Sequence, residues 1–256
     1  MALKKGAKYK GKDGMAANFD SGGMIIPHNN AECTAEANSS PISASEKVSD
    51  AIIRGIRSGA FVPGQHLVEP DLTRRLGISR GSLREALKHL AAAGIVTLTH
   101  FRGAYIATLD SKSVLDLLET LEPLCQLAAR LAAEHCDTDE KCRKIAAAAA
   151  ATDDANRSHN RGQYLEMRRN FYTALVSIGG NGELERVMPL ARTDLFRAQV
   201  ETIQTEKQSN RHAAGYGKIA KAVLDRNPAA AERAVKKHFA GTRATIKELP
   251  ADAFGG

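Results

Sequence analysis

The chain has 256 residues, 43% hydrophobic and 5% aromatic, with no Trp and a formal net charge of +7. That is enough apolar material for one large domain or two modest ones. Cys33, Cys125, Cys136 and Cys142 form no CxxC pair and lack the dense spacing of a disulfide scaffold, so reduced structural thiols are expected. No run approaches the roughly 18 apolar residues of a membrane span and the N-terminus has no signal-peptide core, so a cytoplasmic protein without a membrane partner is expected.

The charge is unevenly placed. Residues 45–107 hold nine Lys/Arg against five Asp/Glu, whereas residues 108–256 hold 22 against 20 over more than twice the length. The positive density therefore sits in the first folded segment, as a phosphate-binding module requires.

Residues 1–44 mix Gly, Ser, Asn and Pro with Lys4, Lys5, Lys8, Lys10 and Lys12 and carry no helical or strand period. They read as a flexible basic arm, either solubilising or adding nonspecific DNA affinity. From Ser45 the pattern tightens. Ser45 or Ser49 can cap a helix bearing Val48, Ile52, Ile53 and Ile56, which Gly59 ends. Pro63-Gly64 makes a turn, and Leu67, Leu72 and Leu76 fit a short second helix opening near Glu69 and Pro70.

Gly77 breaks that helix and Ser79 caps a third, in which Leu83, Ala86, Leu87 and Leu90 form one apolar stripe. Residues 95–107 alternate Val96 and Leu98 with Thr97 and Thr99, turn near Arg102-Gly103, and return through Tyr105 and Ile106. Three helices and a hairpin in this order make a winged helix-turn-helix over residues 45–108.

The remainder, 109–250, reads as an all-α antiparallel bundle of six helices. They are expected over 113–136, 138–157, 162–178, 182–205, 209–225 and 228–247. A kink is expected at Pro123, and the six-alanine run after Ile145 reads as tight helix packing. The fold class is therefore mainly α, with a small β-hairpin wing.

Consecutive residues on a helix lie about 100° apart, which sets Arg80, Arg84 and Lys88 on a ridge roughly 110° from the apolar stripe. Arg80 and Arg84 fall in the turns a recognition helix offers to the major groove, where the rigid arginine fork matches guanine O6 and N7. Ser79, Ser82 and the first-turn amides can hold phosphate. The hairpin tip, His100 to Gly103, can place Arg102 on the adjacent backbone or minor groove. Double-stranded DNA is the expected partner.

The segment FVPGQHLVEPDLTRRLGISRGSLREALKHLAAAGIVTLTHFRGAYI resembles the winged-helix domain of the GntR family of bacterial transcription regulators. The resemblance rests on the Pro63-Gly64 turn, Leu67 and Glu69, Gly77 to Arg80, Arg84 to Leu90, and the Arg102-Gly103 wing. It departs where the family commonly has Thr-Pro, since this chain has Gly81-Ser82, and where some members have an Arg, since it has Pro70. The helical remainder resembles the FadR-type subfamily, whose bundle binds an effector and forms the dimer.

Many bundles of that type hold a divalent metal through one Asp and three His. The resemblance lays the D-x-x-F-H of that pattern on Arg168, Arg169, Asn170, Phe171 and Tyr172, the next His on Tyr216, and the last on His238. One imidazole beside a cation is a poor metal site, so no metal and no other cofactor is expected. If Arg168, Tyr172, Tyr216 and His238 converge, they form a polarised pocket for an organic acid; otherwise they are core aromatics, a solvated arginine and a bundle histidine. Arg192 and Arg197 are further candidates for an inward cation, with surface ion pairing the preferred reading for both.

The leading expectation is a homodimeric, ligand-responsive repressor on a pseudo-palindromic operator. The alternative is an effector-independent DNA-binding protein with a degenerate pocket. No P-loop, H-E-x-x-H or C-x-x-C motif is present, and no acid–base pair of carboxylates stands out, so the chain is not expected to be an enzyme.

Overall fold

The structure is a computed structural model that describes residues 43–100, 102–201, 203–250 and 253–254. Of the basic arm expected over residues 1–44, all but its last two residues lie outside the described ones, as do Cys33 and the wing-tip residue Phe101.

Helix α1 (Ala44–Ser58) starts earlier than expected, because its cap is Ser43 rather than Ser45 or Ser49. Ser43 Oγ accepts from the Glu46 amide while the Glu46 carboxylate accepts from the Ser43 amide at 2.8 Å, so two otherwise orphaned donors are satisfied at once. Its Val48, Ile52 and Ile56 are each at most 1% exposed, and the helix packs against α3 (Arg80–Ala92), whose buried residues are Leu83, Ala86, Leu87 and Leu90. Burying each such side chain contributes about 1.5–3 kcal/mol.

Helix α2 (Glu69–Leu76) opens with Pro70 in its first turn. The link to α3 needs a left-handed residue, and Gly77 supplies it at φ 63°. Leu67, expected in the second helix, instead lies in a short strand β1 (His66–Leu67). That strand pairs antiparallel with β3 (Gly103–Ile106), which also pairs with β2 (Val96–Thr99), so the wing is a three-stranded sheet in the order β1-β3-β2.

The second part is built on α4 (Ser111–His135), α6 (Arg161–Gly179) and α10 (Pro228–Glu248), with α5 (Asp139–Arg157) and α9 (Glu206–Leu224) completing the bundle. Helix α4 runs through Pro123 without interruption, over nearly the span expected for it. The single helix expected over 182–205 is two, α7 (Gly182–Val187) and α8 (Leu190–Val200), because Pro189 has no amide to carry the ladder across. The alanine run packs on one side only: Ala148 and Ala149 lie against the core, whereas Ala146, Ala147 and Ala150 are exposed, and Ile145, Thr152 and Ala155 are the buried positions of α5.

Helix α8 is the seam between the two parts. Gln199 accepts from the Leu109 amide at 2.9 Å and donates to the Leu109 carbonyl at 2.8 Å, which fixes the connection leaving the wing. Arg192 lies over Gly94, the turn that ends α3. Arg57 in the last turn of α1 donates to Glu166 of α6 at 2.6 Å and lies 3.7 Å from Asp194 of α8.

Candidate functional site

The ridge on α3 is presented outward. Arg80, Arg84 and Lys88 are exposed, while Leu83, Ala86, Leu87 and Leu90 of the same helix are at most 3% exposed. Ser79 is the N-cap, accepting from the Ser82 amide, and the two hydroxyls lie 2.9 Å apart. Arg84 lies 3.7 Å from Glu69 and Lys88 3.5 Å from Glu85. Such long, solvated pairs yield readily to a phosphate or a base edge. Arg80 and Arg102 have no carboxylate within salt-bridge distance among the described residues.

The wing turn closes with the Arg102 amide donating to the Thr99 carbonyl at 3.1 Å, and exposed His100 and Arg102 stand at its tip. Gly103 follows at φ 89°, a conformation that L side chains rarely adopt, and a Cβ there would come 2.9 Å from His66 Nε2. Its small size thus lets β1 and β3 close on one another.

Residues 77–81, GISRG, also spell the G-x-S-x-G of a nucleophile elbow. That elbow joins a strand to a helix around a serine held by a base. Here a helix precedes the serine, and its described side-chain partner is Ser82.

The bundle centre brings Arg168, Tyr172, Tyr216 and His238 together, all buried. The Tyr172 and Tyr216 rings lie 5.9 Å apart, those of Tyr216 and His238 lie 4.8 Å apart, and the Arg168 guanidinium carbon sits 5.7 Å from the Tyr172 ring. Arg168 is not solvated, since it is 1% exposed and donates to Asp194 at 2.7 Å. Arg169 donates to the other Asp194 oxygen, also at 2.7 Å. Burial works against the Arg168 charge, but Tyr216, Asp194 and Tyr172 hold its pKa above the ordinary arginine value. The cavity against these residues, which Tyr216 does not line, measures about 10 Å³, room for roughly one water.

Arg197 is the larger correction. Expected at the surface, it is 3% exposed, and its Nη2 donates to His212 Nε2 and, at 3.3 Å, to Thr242 Oγ1. Arginine only donates, so Nε2 must accept, the His212 proton lies on Nδ1, and Nδ1 donates to Tyr164 Oη at 2.6 Å. His212 and His238 rings lie 4.4 Å apart. Burial, with Arg197 beside them, pushes both imidazoles down, His238 to about 3 and His212 well below the ordinary value. Arg192 likewise makes no surface ion pair among the described residues; its buried Nε lacks a partner.

The profile of the "Bacterial regulatory proteins, gntR family" matches residues 44–106, and that of the "FCD domain" matches residues 113–241, half of the chain. The chain belongs to the GntR family. It is a GntR transcriptional regulator with an FCD domain, and the families and relatives it matches are transcription regulators, not enzymes. The Nta operon transcriptional regulator of Aminobacter aminovorans is 32% identical to it over 124 residues, 48% of this chain and 58% of that relative's length. A Bacillus subtilis HTH-type transcriptional regulator, YdhC, is 22% identical over 72% of this chain and 82% of its own length. The structure of E. coli McbR/YncC superposes with a TM-score of 0.72 at 16% identity, over 81% of this chain and 98% of that one. A Rhodococcus sp. RHA1 GntR regulator gives 0.69 at 19% identity, over 80% and 98%. At these identities the structures attest the shared fold. No described helix is long and apolar enough to cross a membrane.

The metal that the resemblance to FadR-type bundles brings to mind does not fit this regulator's residues. Among the described residues no three His, Cys, Asp or Glu gather to hold an ion, and the buried cations Arg168 and Arg197 line one cavity with His238, where they would repel it. Sequence reasoning missed Asp194 and His212, and it preferred the surface over the interior for Arg197. Helix α8 buries five consecutive residues, Thr193 to Arg197, so no polar face marks which charges turn inward. His212 was within reach, since it lies one turn before Tyr216 on α9 and shares its face.

Proposed function

We propose that this regulator is a cytoplasmic, homodimeric, ligand-responsive repressor that binds a pseudo-palindromic DNA operator and takes a small organic acid in its bundle. The observation that carries the DNA-binding half is the exposed Arg80, Arg84 and Lys88 ridge on a helix whose opposite face is closed by four buried apolar residues. A helix N-terminus carrying two arginines has the charge and the fork geometry for phosphate and guanine. Ser79, Ser82, His100, Arg102 and Gly103 would complete the contact on the flanking backbone.

The effector half rests on cations buried in the bundle and on what α8 joins. One helix carries Asp194 under Arg57 and Arg168, Arg197 under His212, Arg192 over Gly94, and Gln199 on Leu109. An acid drawn to the buried guanidinium groups would pull on α8, and α8 touches the DNA-binding part at Arg57 and Gly94 and the connection leaving it at Leu109. Such differential contact is what a two-state coupling requires.

Selection from randomised duplexes, read against salt, tests the first half. The expected product is a two-fold sequence with half-sites about one helical turn apart, and an affinity falling steeply with salt. Enrichment of no sequence would overturn it. Thermal unfolding against small carboxylic acids, sugar acids and divalent metals tests the second. The small cavity beside Arg168 favours the effector-independent reading, which a flat screen would establish.

A further inference from the structure

A groove of about 530 Å³ runs between α9 and α10. His212 and His238 line it, whereas Arg168, Tyr172 and Tyr216 do not. Along α10 its wall extends from Ala230 to Thr245, roughly 22 Å at 1.5 Å per residue. Five cationic side chains line it, Arg197, Arg211, Lys218, Arg233 and Lys237, and no Asp or Glu does.

Exposed lysines on a helix are ordinarily just solvated. Arg197 is not of that kind. Its guanidinium is buried against two residues of the groove wall, His212 and Thr242, its Nε has no acceptor, and no carboxylate lies within salt-bridge distance among the described residues. A buried guanidinium hydrogen-bonded only to neutral groups, with the buried Glu201 carboxylate one turn away beyond salt-bridge distance, is costly, and an anion in the groove would relieve that cost. Of the other four, Arg211 is engaged by Thr245 at 2.7 Å and Glu248 at 3.7 Å, while Lys218, Arg233 and Lys237 are exposed and make no ion pair among the described residues. Between the two groups of cations the wall includes small residues, Gly215 of α9 and Gly241 of α10. Gly215 is closed on His238, which a Cβ would strike.

We infer that this groove is the effector site and takes an elongated organic dianion. One acidic group sits on Arg197 and Thr242, the other among Lys218, Arg233 and Lys237, and an apolar mid-section lies along Gly215 and Gly241. The inference rests on the reading that the chain senses an acid, and it moves the ligand from the Arg168 cluster to the open groove beside it. Thr242 lies five to nine residues along α10 from Lys237 and Arg233, which sets the two acidic groups roughly 7–14 Å apart.

The test is calorimetric titration of the full chain with the straight-chain dicarboxylates from succinate to sebacate, each beside the monocarboxylate of matched length. The affinity should pass through a maximum at the chain length that spans the two cation groups. The matched monocarboxylate should bind roughly ten- to a hundredfold more weakly, the worth of one charge-assisted contact. Arg233→Glu with Lys237→Glu, both exposed and so compatible with folding, should weaken the best dicarboxylate by a similar factor; Arg197→Met should do the same.

Dicarboxylate binding that survives the rim reversal but is lost in Arg168→Met would put the ligand in the bundle centre, overturning the groove while leaving the acid-sensing reading intact. No binding by any member of the series would also overturn it, with operator selection still deciding the DNA-binding function separately. If no acid bound and the rim reversal instead weakened affinity for random duplex, the groove would be a nucleic-acid contact and the inference would fall.

Discussion

Asp194 is fully buried and accepts from Arg168 and Arg169 at 2.7 Å each, with Arg57 3.7 Å away. Asp194→Asn keeps the side-chain shape and removes the charge. Arg168, 1% exposed, then has no carboxylate in reach among the described residues, and leaving one partner of a buried pair uncompensated costs about 3–5 kcal/mol. Arg169 is partly solvated and adds little. For a body of this size each kcal/mol moves the midpoint by roughly 2–4 °C, so Tm should fall by about 6–20 °C in a calorimetric scan. The paired change Arg168→Met with Asp194→Leu removes both charges and should recover most of the loss, since an apolar pair of similar volume carries no desolvation cost. A single variant within about 1 kcal/mol of the parent, or a double variant no better than the single, would refute the account of the centre as a charge-balanced core.

Arg84→Glu should abolish operator binding in a gel-shift assay with unchanged helical circular dichroism; retained affinity would mean α3 is not the reading helix. The two depressed imidazoles set a pH dependence. In the unfolded chain His212 and His238 take up protons below about pH 6.5, whereas in the fold His238 resists down to about 3 and His212 also resists well below its ordinary value. Stability is therefore full above about pH 6.5 and lost as pH falls toward 3, by on the order of 2 kcal/mol per histidine near pH 5. Burial raises the pKa of Glu201, which acts in the opposite sense; a urea midpoint flat between about pH 8 and pH 5 would contradict the neutral pair. Gly215→Ala must displace His238 and should cost about 1–3 kcal/mol of stability by overpacking, checked by denaturant unfolding. The Cys136 thiol, pushed up to about 11 by burial and by Cys142 3.3 Å away, should resist alkylation near neutral pH until the chain is unfolded.

Local pattern carried the DNA-binding part because its signals are short-range. Leu83 to Leu90 at helical spacing, Gly77 where a left-handed residue is needed, Ser79 as cap and the alternation of residues 96–99 each report on neighbours a few positions away. A two-residue strand at His66 has no such signal, since it exists only through its partner Tyr105. In the bundle, the sequence determined that helices form, and the resemblance to FadR-type bundles, rather than any spacing, set Arg168, Tyr172, Tyr216 and His238 together as candidates. The helix period told which face of each helix is apolar, but only for helices with one buried face. Helix α8 is enclosed on several sides, so Asp194 and Arg197 look like surface charges in one dimension and become the buried centre in three. What tertiary structure alone decided is how those charges are balanced: Arg168 against a carboxylate 26 positions away, and Arg197 against two neutral groups and an open groove. Charge compensation in a protein interior is a matter of distance in space, and no spacing along the chain encodes it.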